Sequence, residues 1–300
     1  MTATVVLAGG TGFIGTYLAD RFRVLNYDVR MISRNSGHIQ WNDRDGIAEA
    51  LDGADLLINL AGRSVNCRYN EKNKRDILAS RTETTRLLGE AVSACTRPSA
   101  LWINASTATI YRHAEDRPMT EEHGEIGSGF SVDVAKAWEE TFFSYGTKKT
   151  GKETRLAALR IAIVLGQGGG VMTPYKNLAR FGLGGPQGSG TQMFSWIHID
   201  DIFGIIMFLK DHPELSGVFN ASAPEPLTNR EWMRTVRQAM KVPFGLPAPR
   251  WMLELGAVLI RTETELILKS RWVIPERLEQ AGYRFKYRTA GQALESILTF

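Results

Sequence analysis

Three glycines spaced three apart, Gly9, Gly12 and Gly15 in AGGTGFIG, follow the β-branched run TVVLA and open a stretch of helical periodicity. In that context each glycine has a physical task. Gly9 permits a tight turn, Gly12 lets the backbone approach a pyrophosphate, and Gly15 lets the helix pack closely on the sheet. The backbone around Thr11, Phe13 and Ile14 then faces the phosphate charge at the helix N-terminus. The chemistry implied is dinucleotide binding; a purely structural glycine turn is the alternative. The second strand ends Ser33-Arg34-Asn35, with no carboxylate to take ribose hydroxyls and an arginine suited to forking a 2′-phosphate. NADP is therefore expected over NAD, against the alternative of a solvated surface arginine.

A second set of residues has the types needed for carbonyl chemistry. ASTATIY (105–111) holds Thr107 and Tyr111, and FSVDVAKAWEE (130–140) holds Lys136 four places after Val132. Arg81 falls on the apolar face of a helical segment, so it needs an anionic partner, either a ligand or an internal carboxylate. In SWIHIDD, Asp201 reads as a helix cap and His198 as a group that satisfies the backbone. Gln192 and Ser195 could bond a ligand or their own loop. The cysteines Cys67 and Cys95 cannot make a disulfide framework, and no Cys/His cluster has metal-ligand spacing, so no metal is expected. A hydrolase is disfavoured, because no GxSxG elbow occurs in the expected context.

The elements that must position these groups are legible in outline. TVVLA (4–8), VRMIS (29–33), DLLINLA (55–61), ALWINAS (100–106) and LAALRIAIVLG (156–166) read as strands with helical patterns between them, the order of a parallel α/β sheet. Asn70 to Cys95 reads as a long crossover helix, and Phe130 to Tyr145 as another. Glycine-rich loops follow Gly166, then a strand TQMFSWIHI, a helix DDIFGIIMFL and a final sheet strand GVFNAS. The remainder reads as helices: NREWMRTVRQAM, WMLELGAVLI, ETELILKSRW and a closing segment with Ala293, Leu294, Ile297 and Leu298. The expected fold is a doubly wound Rossmann sheet over residues 1–166, with 198–222 returning to it. A smaller, mostly helical substrate lobe takes 167–197 and 223–300.

Composition bounds the partners. At 300 residues, 43% hydrophobic and 23% charged, the chain can bury a large core. The formal charge of +4 is scattered, which favours small anionic ligands over nucleic acid. No apolar stretch approaches the roughly 20 residues of a membrane span, and no secretion signal is read at the start. The expectation is a cytoplasmic protein that binds a small-molecule substrate and touches neither nucleic acid nor membrane, with a homodimer as the expected assembly.

At NLAG (59–62) and ASTATIY the chain resembles the extended short-chain dehydrogenase/reductases of the nucleotide-sugar epimerase type. That resemblance implies a substrate-bonding role for Thr107 and cofactor contacts at Ser33, Arg34, Leu60, Ala61, Gly62, Ser80 and Ile163, the last through its backbone. It also implies a YxxxK helix, whose tyrosine moves the proton and whose lysine holds the nicotinamide ribose. The matching positions in FSVDVAKAWEE are Val132 and Lys136, so the proton donor would be sought at Tyr111, His123 or Lys136. The strings RIAIVLGQGGGVM, GLGGPQGSGTQMFSWIHIDD, FNASAPEPLTN and VIPERLEQAGYRF narrow the resemblance to the epimerase family proteins with a C-terminal domain of unknown function, over essentially the whole chain. The resulting expectation is an NADP(H)-dependent oxidoreductase or epimerase-like enzyme of unknown substrate. The alternative is a non-catalytic NADP(H)-binding redox sensor or regulator, some relatives carrying a cell-division label.

The cofactor preference is open to a direct check. Arg34→Ala is expected to weaken NADPH binding about tenfold or more, the worth of a charge-assisted hydrogen bond, and to leave NADH binding unchanged. Nicotinamide-fluorescence titration measures both, and equal affinity of the unaltered chain for NADH and NADPH would contradict the assignment.

Overall fold

Side chains alternate along β1 (Thr4–Ala8): Val5 and Leu7 enter one apolar core, Val6 and Ala8 another. A strand buried on both faces belongs inside a parallel sheet covered by helices. The computed structural model, which describes residues 2–146, 154–249 and 268–298, shows that sheet. Its other strands are β2 (Asp28–Ser33), β3 (Ile39–Gln40), β4 (Leu56–Asn59), β5 (Leu101–Thr107) and β6 (Arg155–Ile161). Three short strands come next, β7 (Ile163–Leu165), β8 (Met193–Phe194) and β9 (Trp196–His198), before β10 (Gly217–Ala221) closes the sheet and β11 (Leu227–Thr228) follows. The seven-stranded order is β10-β6-β5-β4-β1-β2-β3, all parallel.

The helices among the described residues are α1 (Phe13–Val24), α2 (Arg44–Leu51), α3 (Glu71–Ala94), α4 (Phe130–Phe143), α5 (Met172–Arg180), α6 (Ile199–Asp211), α7 (Asn229–Ala239), α8 (Glu276–Gln280) and α9 (Ala290–Ile297). α1 and α6 cover one face of the sheet; α2, α3 and α4 cover the other. This is the doubly wound arrangement that places loops and helix N-termini together at the carboxyl edge of the strands. The crossover helix α3 starts at Asn70, whose side chain accepts from Asn73 N at 2.9 Å, and ends at Cys95.

Away from the sheet, α5, α7 and α9 enclose a separate apolar cluster around Trp196, Trp232 and Leu294. α5 begins within the glycine-rich stretch that reads as loop, burying Met172 and Ala179. The C-terminal segment also reaches back, and Leu278 and Phe285 are buried in the sheet core beside α6. WMLELGAVLI and the start of ETELILKSRW lie outside the described residues.

Two expected strands are divided. In LAALRIAIVLG the chain leaves the sheet at Ala162: its N–H goes to Ala221 O at 3.0 Å, while that of Ile163 goes to Ser195 O at 3.2 Å. β7 then pairs with β9. TQMFSWIHI breaks at Ser195, whose hydroxyl donates to Arg271 O at 2.7 Å and accepts from Val273 N at 2.8 Å. Neither break has a local signal, because each is made by a partner far along the chain.

The cap of α6 is His198, not Asp201. His198 Nδ1 accepts from Asp200 N at 3.1 Å, and Nε2 lies 3.2 Å from Ser296 Oγ. Asp201 is buried one turn in and accepts from Lys286 N at 2.7 Å and Tyr287 N at 3.1 Å, tying the C-terminal segment to α6. Burial pushes the Asp201 carboxyl above its ordinary range despite these bonds.

Burial likewise lowers the His198 pKa to about 4, with Asp200 pulling it up and Lys286 pushing it down. A histidine held neutral by the fold contributes stability that is complete above the unfolded value near 6.5 and is lost as pH falls towards the folded one. His198→Asn keeps a cap acceptor but cannot titrate. Urea unfolding at pH 7 and pH 5 should therefore show a smaller loss of stability for His198→Asn than for the unaltered chain; equal losses would exclude His198 as the source.

Candidate functional site

The turns after β1 and β4 are pressed together. Gly9 has φ +74°, its N–H is donated to Ile32 O at 2.8 Å, and a Cβ there would lie 2.6 Å from Ala61 Cα. The β4 turn is held from beneath by a buried polar network. Asn59 Oδ1 accepts from Ala61 N at 3.0 Å, and Asn59 Nδ2 donates to Asn104 Oδ1 at 2.7 Å and Thr85 Oγ1 at 3.0 Å. Trp138 Nε1 donates to the same threonine at 3.0 Å. Every polar atom of Asn59 is thus matched, which a fully buried amide requires.

A Cβ on Gly15 would lie 2.5 Å from the Gly10 backbone, whereas nothing lies within 4 Å of the same position on Gly12. Gly12 caps α1 without a side-chain bond, and the first turn has no acidic residue. The positive end of α1 is therefore open and has no anion of its own. Thr11 is exposed there, while the Phe13 ring is wrapped by Gly166, Gly169 and Gly170 and Ile14 packs on the sheet core. Phe13 and Ile14 can thus serve a phosphate only through their backbone. At the end of β2, Ser33 Oγ is buried and accepts from Asn35 N at 3.0 Å, and Arg34 is exposed. Leu60, Ala61 and Gly62 form the facing turn; Ser80 Oγ accepts from Arg63 N at 2.9 Å and donates to Ile77 O. The N–H of Ile163 is already used by Ser195, so a backbone contact from that group is not available. The open helix end, the close turns and the exposed arginine fit a phosphorylated dinucleotide.

Thr107 ends β5 and caps a single 3-10 turn (Ala108–Ile110), its Oγ1 accepting from Thr109 N at 3.2 Å and leaving its proton to donate. Tyr111 is not an open donor. Its hydroxyl is buried, donates to Asn220 Oδ1 at 3.0 Å and accepts from Arg160 at 2.8 Å, and burial raises its pKa. His123 is an exposed loop residue. Val132 is fully buried in an apolar layer with Tyr111, Met119 and Val273, and Lys136, one turn on, is exposed. α4 also meets α3 through Trp138. Trp138 bonds Thr85 of that helix, Ser131 Oγ lies 3.5 Å from the hydroxyl of Tyr69 just before it, and Ala135 is buried with Val132. Val132 thus packs beside the turn that follows Thr107, and Lys136 is exposed one turn further along the same helix.

The rotation of α4 is set by a buried pair that sequence reading missed. Arg160 Nε and NH2 donate to the two Glu139 oxygens at 2.9 and 2.8 Å, and Ser106 Oγ donates to Glu139 at 2.5 Å. Burial opposes the guanidinium charge, but the Glu139 bonds and Tyr111 outweigh it and raise the Arg160 pKa. Ser106, Arg160 and Asn220 sit in register across β5, β6 and β10. The available signal was an arginine inside the apolar run LAALRIAIVLG.

Arg81 has no carboxylate partner among the described residues. It donates to Arg63 O and Ile77 O, both at 3.1 Å, and lies 5.1 Å over the Trp138 ring. Gln192 and Ser195 bond within their own surroundings. A cavity of ≈620 Å³ lies beside the loop leading into α4, lined by Arg112, His113, Ser128 and Lys269 among others; Lys269 Nζ donates to Thr109 O at 2.9 Å. Among the described residues no group of three His, Cys, Asp or Glu could hold a metal, and no helix is long and apolar enough to cross a membrane.

Removing one partner of a buried pair strands the other. Arg160→Met should cost about 3–5 kcal/mol in urea unfolding, and adding Glu139→Gln should restore part of that loss. Additive losses would show the two groups to be energetically independent.

Residues 5–222 match the NAD dependent epimerase/dehydratase family, and residues 248–297 match a domain of unknown function, DUF1731. The chain is 33% identical over 303 residues to the human epimerase family protein SDR39U1, covering 98% of this chain and 99% of that one. It is 29% identical over 308 residues to the Bacillus subtilis epimerase family protein YfhF, covering 98% and 97%. The crystal structure of human SDR39U1 (isoform 2) with NADPH superposes with a TM-score of 0.87 at 32% identity, covering 98% of this chain and 99% of that one. A UDP-N-acetylglucosamine 4-epimerase from Bacillus cereus shares the fold, with a TM-score of 0.77 at 17% identity and coverage of 99% and 96%.

Proposed function

The chain belongs to the NAD-dependent epimerase/dehydratase family, and from that premise we propose that it is an NADP(H)-dependent oxidoreductase or epimerase-like enzyme acting on a small molecule. The observation that carries the reading is the open, anion-free N-terminus of α1 above Gly12, with Arg34 exposed at the end of the neighbouring strand. The binding of NADPH by the similar human protein supports it. Gly9, Gly12 and Gly15 bring the backbone to the pyrophosphate, Arg34 takes the 2′-phosphate, and the Leu60–Gly62 turn borders the cleft. The bound nicotinamide supplies or accepts the hydride.

Thr107, at the carboxyl end of β5, orients the reacting carbonyl through its free hydroxyl proton and stabilises negative charge developing on that oxygen. A threonine is too weak an acid to be the final proton source. α4 contains no tyrosine, and its one lysine, Lys136, is exposed. The proton then comes from Lys136 itself, from a group outside α4 or from water held in the cleft. The cluster around α5, α7 and α9 forms the substrate side of the cleft in this reading. The same lack of a tyrosine on α4 favours a second reading, a non-catalytic NADP(H)-binding sensor.

Turnover separates the two. NADPH oxidation is followed against a panel of aldehydes, ketones and nucleotide sugars. The enzyme reading expects Thr107→Ala to lower kcat/KM about a hundredfold, the worth of one oxyanion donor, with NADPH affinity retained, and Lys136→Met to abolish turnover as well. Tight NADPH binding without turnover on any member of the panel would favour the sensor.

A further inference from the structure

Four large apolar side chains stand in solvent on two neighbouring turns: Phe181 (75% exposed) and Leu183 (39%) just past α5, and Phe244 (65%) and Leu246 (59%) past α7. The turns are joined through their backbones. Leu246 N donates to Gly182 O at 2.8 Å and Gly185 N to Leu246 O at 3.1 Å, and a Cβ on Gly182 would lie 3.6 Å from Cε2 of Phe244. Arg237 of α7 pins both. Its NH1 donates to Gly184 O, and a Cβ on Gly184 or Gly245 would lie 3.1 or 2.8 Å from its methylenes. Pro243 and Pro247 stiffen the second turn. The apolar tips are therefore held outward on a fixed frame. Single exposed apolar residues are ordinary, but four on one pair of joined turns mark a contact surface.

The charge around these tips has one sign. Residues 172–190 include Lys176 and Arg180 and no Asp or Glu; residues 232–249 include Arg234, Arg237 and Lys241 and again no Asp or Glu. Arg180 precedes Phe181 directly, Lys241 stands three places before Phe244, and both are exposed with no ion pair among the described residues. Cations at a helix C-terminus complement its dipole, which accounts for their sign but not for the apolar tips beside them. The combination selects the partner. A second copy set face to face across a two-fold axis would bring Arg180 and Lys241 against their own equivalents. A lipid surface is negative at its face and apolar beneath, and being fluid it receives protruding rings without a matched pocket.

We propose that the Phe181–Leu183 and Phe244–Leu246 turns are a docking surface for an anionic phospholipid membrane, the apolar tips entering the headgroup boundary and Arg180 and Lys241 pairing with lipid phosphates. No helix among the described residues is long and apolar enough to cross a bilayer, so these tips would hold the chain at the surface. Composition leads to the opposite expectation, no membrane contact, because it averages a charge that the fold gathers where α5 and α7 end. Neither turn contributes to the cofactor site described above.

The experiment is co-sedimentation of the full chain, loaded with NADPH, with vesicles of phosphatidylcholine alone and of phosphatidylcholine mixed with phosphatidylglycerol. Expected is binding to the anionic vesicles, about tenfold or more weaker to the neutral ones and reduced by added salt. Phe181→Ser and Phe244→Ser should each weaken it about tenfold, and Arg180→Gln and Lys241→Gln about fivefold, the worth of one cation beside an anionic surface. Leu25→Ser, which removes an exposed apolar side chain at the end of α1, should leave it unchanged. NADPH affinity and the thermal midpoint should match the unaltered chain in every variant. Absence of binding to anionic vesicles overturns the proposal, as does binding that survives Phe181→Ser and Phe244→Ser together. Retention on immobilised polyglutamate without vesicle binding would overturn it in favour of an acidic protein partner. Dimerisation abolished by Phe244→Ser, again without vesicle binding, would overturn it in favour of a second copy.

Discussion

The ion pair between Glu139 and Arg160 governs how the cleft is built. Two charges removed from water must satisfy each other, and here a bidentate contact, the Ser106 hydroxyl and the Tyr111 hydroxyl complete the set. Because Arg160 is fixed on β6 between β5 and the edge strand β10, α4 must present Glu139 to it. Rotation about the helix axis is then no longer free. Residues one turn either side follow that choice, so Ala135 is buried with it and Lys136, about 100° round, is carried to the exterior.

The same pair decides the fate of Tyr111. A phenol beside a buried guanidinium and a buried asparagine becomes part of the scaffold, linking β6 to β10 through Asn220. Asn220 continues the chain of contacts, its N–H meeting the half-buried Glu121 and its amide the Ile274 carbonyl. The loop before α4 and the C-terminal segment are thereby fastened to the sheet edge nearest the cleft. Chemistry in this site must draw on groups that remain open, among them Thr107 at the end of β5. The contrast is one of satisfaction, since a group whose hydrogen bonds are complete has nothing left to offer a substrate.

A second network does the corresponding work for the cofactor side. Asn59, Asn104 and Thr85 have no solvent exposure and hold the β4 turn against the glycine turn of β1. The open end of α1 gains from this, because its N–H groups are pre-aimed before any ligand arrives.

What the residues determined locally was legible in the chain itself. The glycine turn, the strand runs, the helix from Asn70 to Cys95 and the Ser33-Arg34 strand end all depend on neighbours a few positions away, and the local backbone obeys those. The features that resisted reading depend on distant partners. Arg160 finds Glu139 across 21 positions and Tyr111 finds Asn220 across 109, while His198 displaces Asp201 as a cap because the C-terminal segment claims the aspartate. A helix with a wide apolar arc, such as FSVDVAKAWEETFF, fits several rotations on its own. Only the tertiary structure chose among them, because the desolvated Arg160 charge accepts one carboxylate in one orientation.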